Sequence, residues 1–439
     1  METEYSFRTL NYLGSKLRLL DFIEDNVRKV TPEDAGVCDL FAGSGCVSYR
    51  LSRNYPVVSC DIQHYSRVIS NALLDNLEVT KEDTELFLSQ LGDVEKSPLY
   101  KAFEPLIHIE EQAIETKQLE VLTDIIEHGS VEVYCIEGGN SNISHLLRIV
   151  ADRLSLDGLN NVQSLISRYY GGVYFSYRQA VEIDYILEHI HQKILLRDRD
   201  IYIAALLSTA SDIADTVGKH FAQPLKARDS KGKIKSLVYN KAVKDKTISV
   251  MELYHTWLRK YVSSPKREVQ HQAIQGDYLY CLENLPDNVK TVYADPPYTR
   301  DHYSRFYHVL ETITLRDIPT ISTVTIHGKT HVSNGIYRAE RHQSPFCICS
   351  KAPEAFRLMF EKVAKSGRNF LLSYSPYDES KKTHPRVVTI SQLIELAEKY
   401  FNNVEIVSAG HFSHNKLNST EHFLESSDEA EILIVCTCK

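Results

Sequence analysis

Apolar positions fall in short blocks near both ends of the chain and at helical spacing through its middle. Residues 17–30 repeat apolar positions every three or four residues, which predicts an amphipathic helix. Gly36–Phe41 is a short apolar run ending in Ala-Gly-Ser-Gly, and a helical pattern restarts over Val47–Leu51. This reads as strand, glycine turn, helix. Pro56–Asp61 predicts a second strand, with a helical pattern over 65–76 after it. From 77 to 268 the period is that of helices, broken by polar stretches near 138–143 and 228–236. Strands return at Val269–Ile274, Val289–Ala294, Asn369–Ser375, Val404–Ser408 and Glu431–Thr437, with helices predicted over 352–366 and 390–401. Strands alternating with helices predict an α/β fold around a parallel-rich sheet. Its two halves, 1–76 and 269–439, are separated by a mostly helical insertion, 77–268.

Composition narrows the class. The chain has 439 residues, 25% charged and 10% aromatic, which excludes wholesale disorder and allows two or three domains. No apolar run approaches the roughly 18–20 residues of a membrane span, so no membrane partner is expected. Met1–Leu10 is polar, without the apolar core of a secretory leader, so a cytoplasmic location is expected. The nine cysteines are odd in number and scattered, which reads as reduced thiols. The closest pairs, Cys347/Cys349 and Cys436/Cys438, have one residue between them rather than two, and no metal site is expected.

Charge is uneven. The net charge is −8, yet residues 81–140 alone hold 14 acids and 4 bases. Residues 219–246 hold nine Lys and Arg against Asp229 and Asp245. A mildly acidic protein with one basic stretch needs only a local positive field to contact phosphates, although a solvated loop would show the same charge.

Two motifs carry chemistry. In Asp39-Leu40-Phe41-Ala42-Gly43-Ser44-Gly45, glycines after a strand let backbone approach a ligand, and the following helix offers free N–H groups. Asp61, 22 residues later at the end of the next strand, stands where nucleotide-binding folds put an acid for ribose hydroxyls. Many tight turns match the glycine pattern alone. Asp295-Pro296-Pro297-Tyr298 is more specific. Two prolines fix the backbone at a strand end and leave carbonyls free to accept. The acid is a second acceptor, and the tyrosine offers a stacking face. Convergent acceptors can hold both hydrogens of an exocyclic amine and shape its nitrogen as a nucleophile.

Together these motifs resemble the S-adenosylmethionine-dependent DNA amino-methyltransferases, in particular the Dam-like (alpha-group) N6-adenine branch. Asn11-Tyr12-Leu13-Gly14-Ser15-Lys16 resembles the N-terminal motif of that branch, and Gly276-Asp277-Tyr278 its acidic motif. The order of motifs, with a long recognition insertion before the tetrapeptide, is also similar. The likeness covers 7–76 and 270–310 and leaves 77–268 unaligned. It implies a Rossmann-like methyltransferase sheet with helices on both faces, and S-adenosylmethionine as cofactor. Tyr12, Gly14 and Lys16 would contact its methionine end, with Lys16 on the carboxylate. Asp39 would lie near the amino group, Phe41 near the sulfonium, and Gly43 and Gly45 would admit the cofactor. Asp61 and Ile62 would bind the ribose, and Asp277 and Tyr278 the adenine. Asp295 and the Pro296 carbonyl would hold the target amine, with Pro297 fixing the turn and Tyr298 stacking on the base. The target is buried in a duplex, so it must be flipped out, at a cost of a few kcal/mol.

The resemblance implies a site-specific adenine methyltransferase acting on double-stranded DNA, the modification enzyme of a restriction–modification or related defence system, with any cognate endonuclease on a separate chain. Cytosine-N4 and RNA-adenine enzymes share the tetrapeptide and remain alternatives, as does a non-catalytic DNA-binding subunit. DNA contacts are expected from Lys231, Lys233, Lys235 and Lys241 in the basic stretch, from Tyr303 and Arg305 in the polar segment 299–308, and from Arg338 in the segment 333–341. The aromatics Tyr169, Tyr170, Tyr174, Phe175 and Tyr177 read more readily as core than as a DNA-facing patch.

Overall fold

The computed structural model describes residues 5–75, 79–300, 302–375, 386–409 and 431–438. Among the described residues nine strands follow in chain order: β1 (Gly36–Asp39), β2 (Val57–Asp61), β3 (Gln272–Gln275), β4 (Val289–Ala294), β5 (Thr323–Ile326), β6 (Lys329–Val332), β7 (Asn369–Tyr374), β8 (Asn403–Ser408) and β9 (Ile432–Thr437). Seven form one sheet in the order β3-β2-β1-β4-β7-β9-β8. Its first five strands are parallel, while β9 runs antiparallel to both β7 and β8. This is the parallel-rich α/β sheet that the alternation of elements predicts, in the Rossmann-like form that the resemblance implies. From β1 the chain runs outward to β2 and β3 on one side and then returns to β4 on the other side of β1. The crevice at the strand ends between β1 and β4 is the topological switch point, where such sheets bind ligands.

Alternation along the strands explains why both faces are covered. On one face, Val37, Val57, Tyr293 and Leu371 pack with Leu20, Ile23 and Val27 of the helix Leu20–Val30 and with Val47 and Leu51 of Cys46–Leu51. On the other, Cys38, Val58, Val292, Phe370 and Leu372 pack with Phe356, Met359, Phe360 and Val363 of Ala352–Lys365, and with Leu393 and Ala397 of Ile390–Tyr400. Buried positions 352, 355, 356, 359, 360 and 363 follow the helical repeat, which turns one face to the sheet. Thr389 and Gln392 close a capping box at the start of Ile390–Tyr400.

The chain forms two compact units. The first comprises Met1–Leu77, Ser264–Tyr303 and His342–Lys439, and the second Glu78–Ser263 and Ser304–Arg341. The second therefore takes Ser304–Arg341, which the sequence pattern assigns to the sheet half. Within that unit the helix His308–Leu315 buries Val309, Leu310 and Ile313, and Tyr170 Oη lies 3.2 Å from Thr312 Oγ1. The predicted breaks near 138–143 and 228–236 separate helices that end at Glu137 and resume at Ser144, and that resume at Leu237 after Ile213. The tyrosines near 170 are core. Tyr169, Tyr170, Tyr174 and Tyr177 are at most 1% exposed. Their hydroxyls reach partners, as with Tyr177 Oη donating to Gly129 O at 2.8 Å and Tyr174 Oη to Phe221 O at 2.9 Å. The β5–β6 hairpin is absent from the sequence reading. Every residue of β5 is exposed, so no burial pattern marks it, although Thr-Val-Thr-Ile before His327-Gly328 is a strand-and-turn signal. No helix among the described residues is long and apolar enough to cross a membrane.

Candidate active site

The sheet unit brings the motif residues to one end of its strands. β1 ends at Asp39, and Leu40 N–H donates to Tyr293 O at 2.9 Å, which ties the start of the glycine turn to β4. Gly45 N–H closes the turn on Ala42 O at 2.8 Å. Gly43 and Gly45 have φ of 52° and 73°, in the left-handed region that favours glycine. A Cβ on Gly43 would lie 2.6 Å from Tyr12 Oη, so glycine is needed for space as well as for conformation. Tyr12 thus covers the turn, and Thr9 Oγ1 binds Ser44 O at 2.7 Å beside it. The Tyr12 and Tyr303 rings are 6.4 Å apart, and Gly14 lies beneath the Tyr303 hydroxyl.

Asp39 is buried and accepts from Ser48 Oγ at 2.7 Å. Burial pushes its carboxyl up to about 7, the Ser48 hydrogen bond opposes this, and the charges of Asp295 and Asp61 add to it. Asp61 clasps two backbone segments. One oxygen accepts from Gly43 N–H and the other from Gln63 N–H, both at 2.8 Å. The resemblance expects this acid on a ribose, and here it also braces the glycine turn. Ile62 sits beside it, its carbonyl accepting from Gln275 Nε2 at 2.9 Å.

Asp277 is exposed and caps the helix Tyr278–Glu283, its Oδ1 accepting from Leu279 N–H and Tyr280 N–H. Tyr278 lies against Phe41 at 6.3 Å, and Phe346 stands edge-on to both, at 5.0 Å and 5.3 Å. This aromatic wall includes one member the sequence reading missed. Phe346 lies in a single 3₁₀ turn that matches no motif, and only the fold sets it against Phe41.

The tetrapeptide follows β4. Lys16 is 5% exposed, and its Nζ lies 2.8 Å from Asp295 Oδ2 and 3.5 Å from Glu431 Oε1. Burial opposes its charge, but the two carboxylates outweigh that and hold its ammonium well above the ordinary lysine range. The resemblance expects Lys16 on a cofactor carboxylate, whereas here the ammonium rests on Asp295. Glu431 was also missed, because it stands far from every motif in sequence. Pro296 is buried. The Tyr298 ring has Tyr374 at 4.9 Å and the Arg386 guanidinium at 4.7 Å, and its carbonyl accepts from Val387 N–H at 3.3 Å.

The expected DNA contacts separate into two groups. Lys231 and Lys233 are exposed on a tight turn, where Asp229 Oδ1 accepts from both backbone N–H groups, and Lys235 is half-buried beside them. Arg305 is exposed and lies 5.6 Å from the Tyr337 ring, and Tyr303 is half-buried. Lys241 and Arg338 belong to the second group. Lys241 Nζ is engaged by Asp245 and by Thr216 O, both at 2.8 Å. Arg338 is 5% exposed and pairs bidentately with Asp317 at 2.6 Å. Both expectations are corrected, because carboxylates of the same unit, the buried Asp245 and the exposed Asp317, already hold these cations. Lys219 and Lys246 are likewise paired, with Asp245 and Glu110. Asp301, within the polar segment after the tetrapeptide, lies outside the described residues.

Residues 12–126 match the family model described as D12 class N6 adenine-specific DNA methyltransferase. Over 391 residues the chain is 26% identical to "Modification methylase LlaI" of Lactococcus lactis subsp. lactis, covering 89% of this chain and 49% of that one. It is 26% identical to "Type II methyltransferase M.FokI" of Planomicrobium okeanokoites, over 83% of this chain and 44% of that one. It is 23% identical to "Type II methyltransferase M.NlaIII" of Neisseria lactamica, over 96% and 97% of the two chains. The chain thus spans about half the length of the first two relatives, at 49% and 44%, and nearly all of the third.

The close approach of Tyr12 to the glycine turn has a measurable consequence. Gly43→Ala should lower stability by roughly 1–3 kcal/mol, through the left-handed strain and the clash together. Adding Tyr12→Ala should recover only the clash part. Denaturation of the two single variants and the double variant would read that coupling.

Proposed function

We propose that the chain is an N6 adenine-specific DNA methyltransferase of the D12 class, whose family model residues 12–126 match, and that it transfers a methyl group from S-adenosylmethionine to the N6 amino group of an adenine flipped out of duplex DNA. The observation that carries this reading is Asp295-Pro296-Pro297-Tyr298 at the end of β4, with Asp39 at the end of the adjoining β1. Asp295 and the Pro296 carbonyl accept the two amine hydrogens, and Tyr298 stacks on the base. The residues around the glycine turn suit the cofactor. Gly43 has no room for a Cβ beneath Tyr12, Asp39 is a buried acid suited to a cation, and Phe41, Tyr278 and Phe346 form a wall fit for an adenine face. Asp61 has the chemistry for ribose hydroxyls and Asp277 for the adenine amino group. When bound, S-adenosylmethionine supplies a methyl group on a sulfonium, whose S–C bond breaks as the N–C bond forms. The chain's own part is positioning and charge: it orients the amine, shields it from water and offers Asp295 to the hydrogen that the nitrogen must release.

The helical unit supplies target recognition, and the turn carrying Lys231, Lys233 and Lys235 contacts phosphates. The relatives named as modification or type II methyltransferases support a role within a restriction–modification system. The same reading takes the enzyme as cytoplasmic, with any endonuclease on another chain.

The test is methyl transfer from labelled S-adenosylmethionine to unmethylated genomic DNA, with the product nucleosides resolved by mass spectrometry. Labelled N6-methyladenine is expected, and Asp295→Ala should reduce it on the order of 10²–10³-fold or more. Labelled N4-methylcytosine would replace the target base, and label only in RNA would replace the substrate.

Asp39 gives a pH dependence. With its carboxyl near 7, a cationic ligand binds the ionised form and displaces the proton. Affinity for S-adenosylmethionine should therefore rise as pH rises toward about 7, by up to about tenfold per unit, and level off above it. Calorimetry across pH would read this slope, and Asp39→Asn should flatten it.

Neutralising Lys231, Lys233 and Lys235 together should weaken DNA binding and reduce the slope of log affinity against log salt by about 2–3. An unchanged slope in a fluorescence titration would remove this turn from the interface.

A further inference from the structure

Lys16 and Asp295 have a third partner whose position no motif explains. Glu431 immediately precedes β9 and is 1% exposed. Its Oε1 lies 3.5 Å from Lys16 Nζ and accepts a 2.6 Å hydrogen bond from Ser373 Oγ, in β7. β7 and β9 are hydrogen-bonded neighbours, with Ser373 opposite Leu433 and Tyr374 opposite Ile432. The carboxylate is thus aimed by the sheet itself. It meets a lysine from the N-terminal segment, which in turn meets the acid at the end of β4.

We infer that Glu431 is a positioning residue for methyl transfer: it holds the Lys16 ammonium against Asp295 Oδ2 and thereby fixes the carboxylate that is to meet the target amine. This rests on the reading of the tetrapeptide given above. A lysine ammonium is a compact charge on a flexible stem, free to rotate among its acceptors. One carboxylate partner would leave Lys16 and Asp295 to shift together. A second, fixed to a different strand, triangulates the ammonium and through it the Asp295 carboxylate. Burial strengthens both attractions, since Lys16 and Glu431 are screened from water.

Charge adds a signature that a purely structural latch would lack. The titratable groups facing Lys16 are Asp295, Glu431, Tyr293, Tyr298 and Cys46. Asp39 faces Asp295, Asp61 faces Asp39, and Arg386 lies over Tyr298. Replacing Glu431 by a neutral isostere removes one negative charge from this group. The remaining carboxylates then ionise more readily, and the Lys16 ammonium gives up its proton more readily. Both limbs of the pH–rate profile must therefore move toward lower pH.

The test compares single-turnover methyl transfer by the full chain and its Glu431→Gln, Glu431→Asp and Ser373→Ala variants across pH. Affinity for S-adenosylhomocysteine is measured in parallel by calorimetry. Glu431→Gln should slow the chemical step about 10–100-fold, in the range for a displaced catalytic group, and shift both limbs downward. Its affinity for S-adenosylhomocysteine should stay within about threefold of the parent. Glu431→Asp should restore part of the rate and return the limbs toward their original positions. Ser373→Ala, which keeps the charge, should slow the step without moving the limbs. An unchanged rate in Glu431→Gln, or a slowed rate with unmoved limbs, would overturn the inference. A second readout needs no methyl transfer. The Lys16 side-chain resonance, in protein with ¹³Cε-labelled lysine and assigned with Lys16→Arg, should titrate at lower pH in Glu431→Gln. If the parent chain methylates no DNA, the functional reading fails by itself, and an unmoved Lys16 titration would then overturn the positioning role.

Discussion

The parallel register of β1 and β4 is the constraint on which the site depends. Asp39 is paired with Tyr293, and Leu40 N–H reaches back to Tyr293 O at 2.9 Å. Those bonds bring the last residue of one strand and the acid just beyond the other to the same sheet edge, although 256 positions separate Asp39 from Asp295 in the chain. Connections run away from this pair of strands on opposite sides, so their ends are left open rather than covered by a crossover. The glycine turn then bends over the opening, braced beneath by Asp61 and above by Tyr12.

That edge concentrates negative charge. Asp295 and Glu431 flank Lys16, and burial, joined by the charges of Asp295 and Asp61, pushes the Asp39 carboxyl up to about 7. Such an arrangement is unfavourable for folding alone, because each buried carboxylate loses hydration. It is favourable for a cationic ligand, whose charge offsets the excess. The same residues that strain the free site would therefore favour a cation placed among them.

The helical unit handles its charges differently. Lys246 lies 3.0 Å from Glu110, Lys219 2.8 Å from Asp245, and Arg338 2.6 Å from Asp317. Of these pairs, Lys246 with Glu110 is fully buried, whereas Lys219 is partly exposed and Arg338 is buried against an exposed Asp317. A buried ammonium and carboxylate satisfy each other, whereas either one alone would carry a large desolvation cost. Exposed cations remain in this stretch, Lys231 and Lys233 among them on the 229–233 turn, where Gly232 has φ of 79° and lets the backbone fold back on Asp229. The strong basicity of residues 219–246 in sequence is therefore divided between interior pairs and an outward turn.

The alternation of apolar blocks determined the parallel sheet, since strand and helix periods are local and both sheet faces had to be covered. The glycine turn after β1 and the rigid Asp-Pro-Pro-Tyr after β4 were likewise legible, because their chemistry resides in contiguous residues. Tertiary structure alone decided the partners of each charge. Glu431 and Phe346 lie in no motif and matter only because β9 and the turn before Ala352 bring them to Lys16 and Phe41. Lys241 and Arg338 look like exposed cations in sequence, and only the fold shows which acids hold them. Segment 304–341 joined the helical unit for the same reason: its contacts are with residues far away in the chain. Period and turn chemistry act between neighbours and can be read along the chain, whereas ion pairing and packing depend on which distant residues the fold brings within a few ångströms.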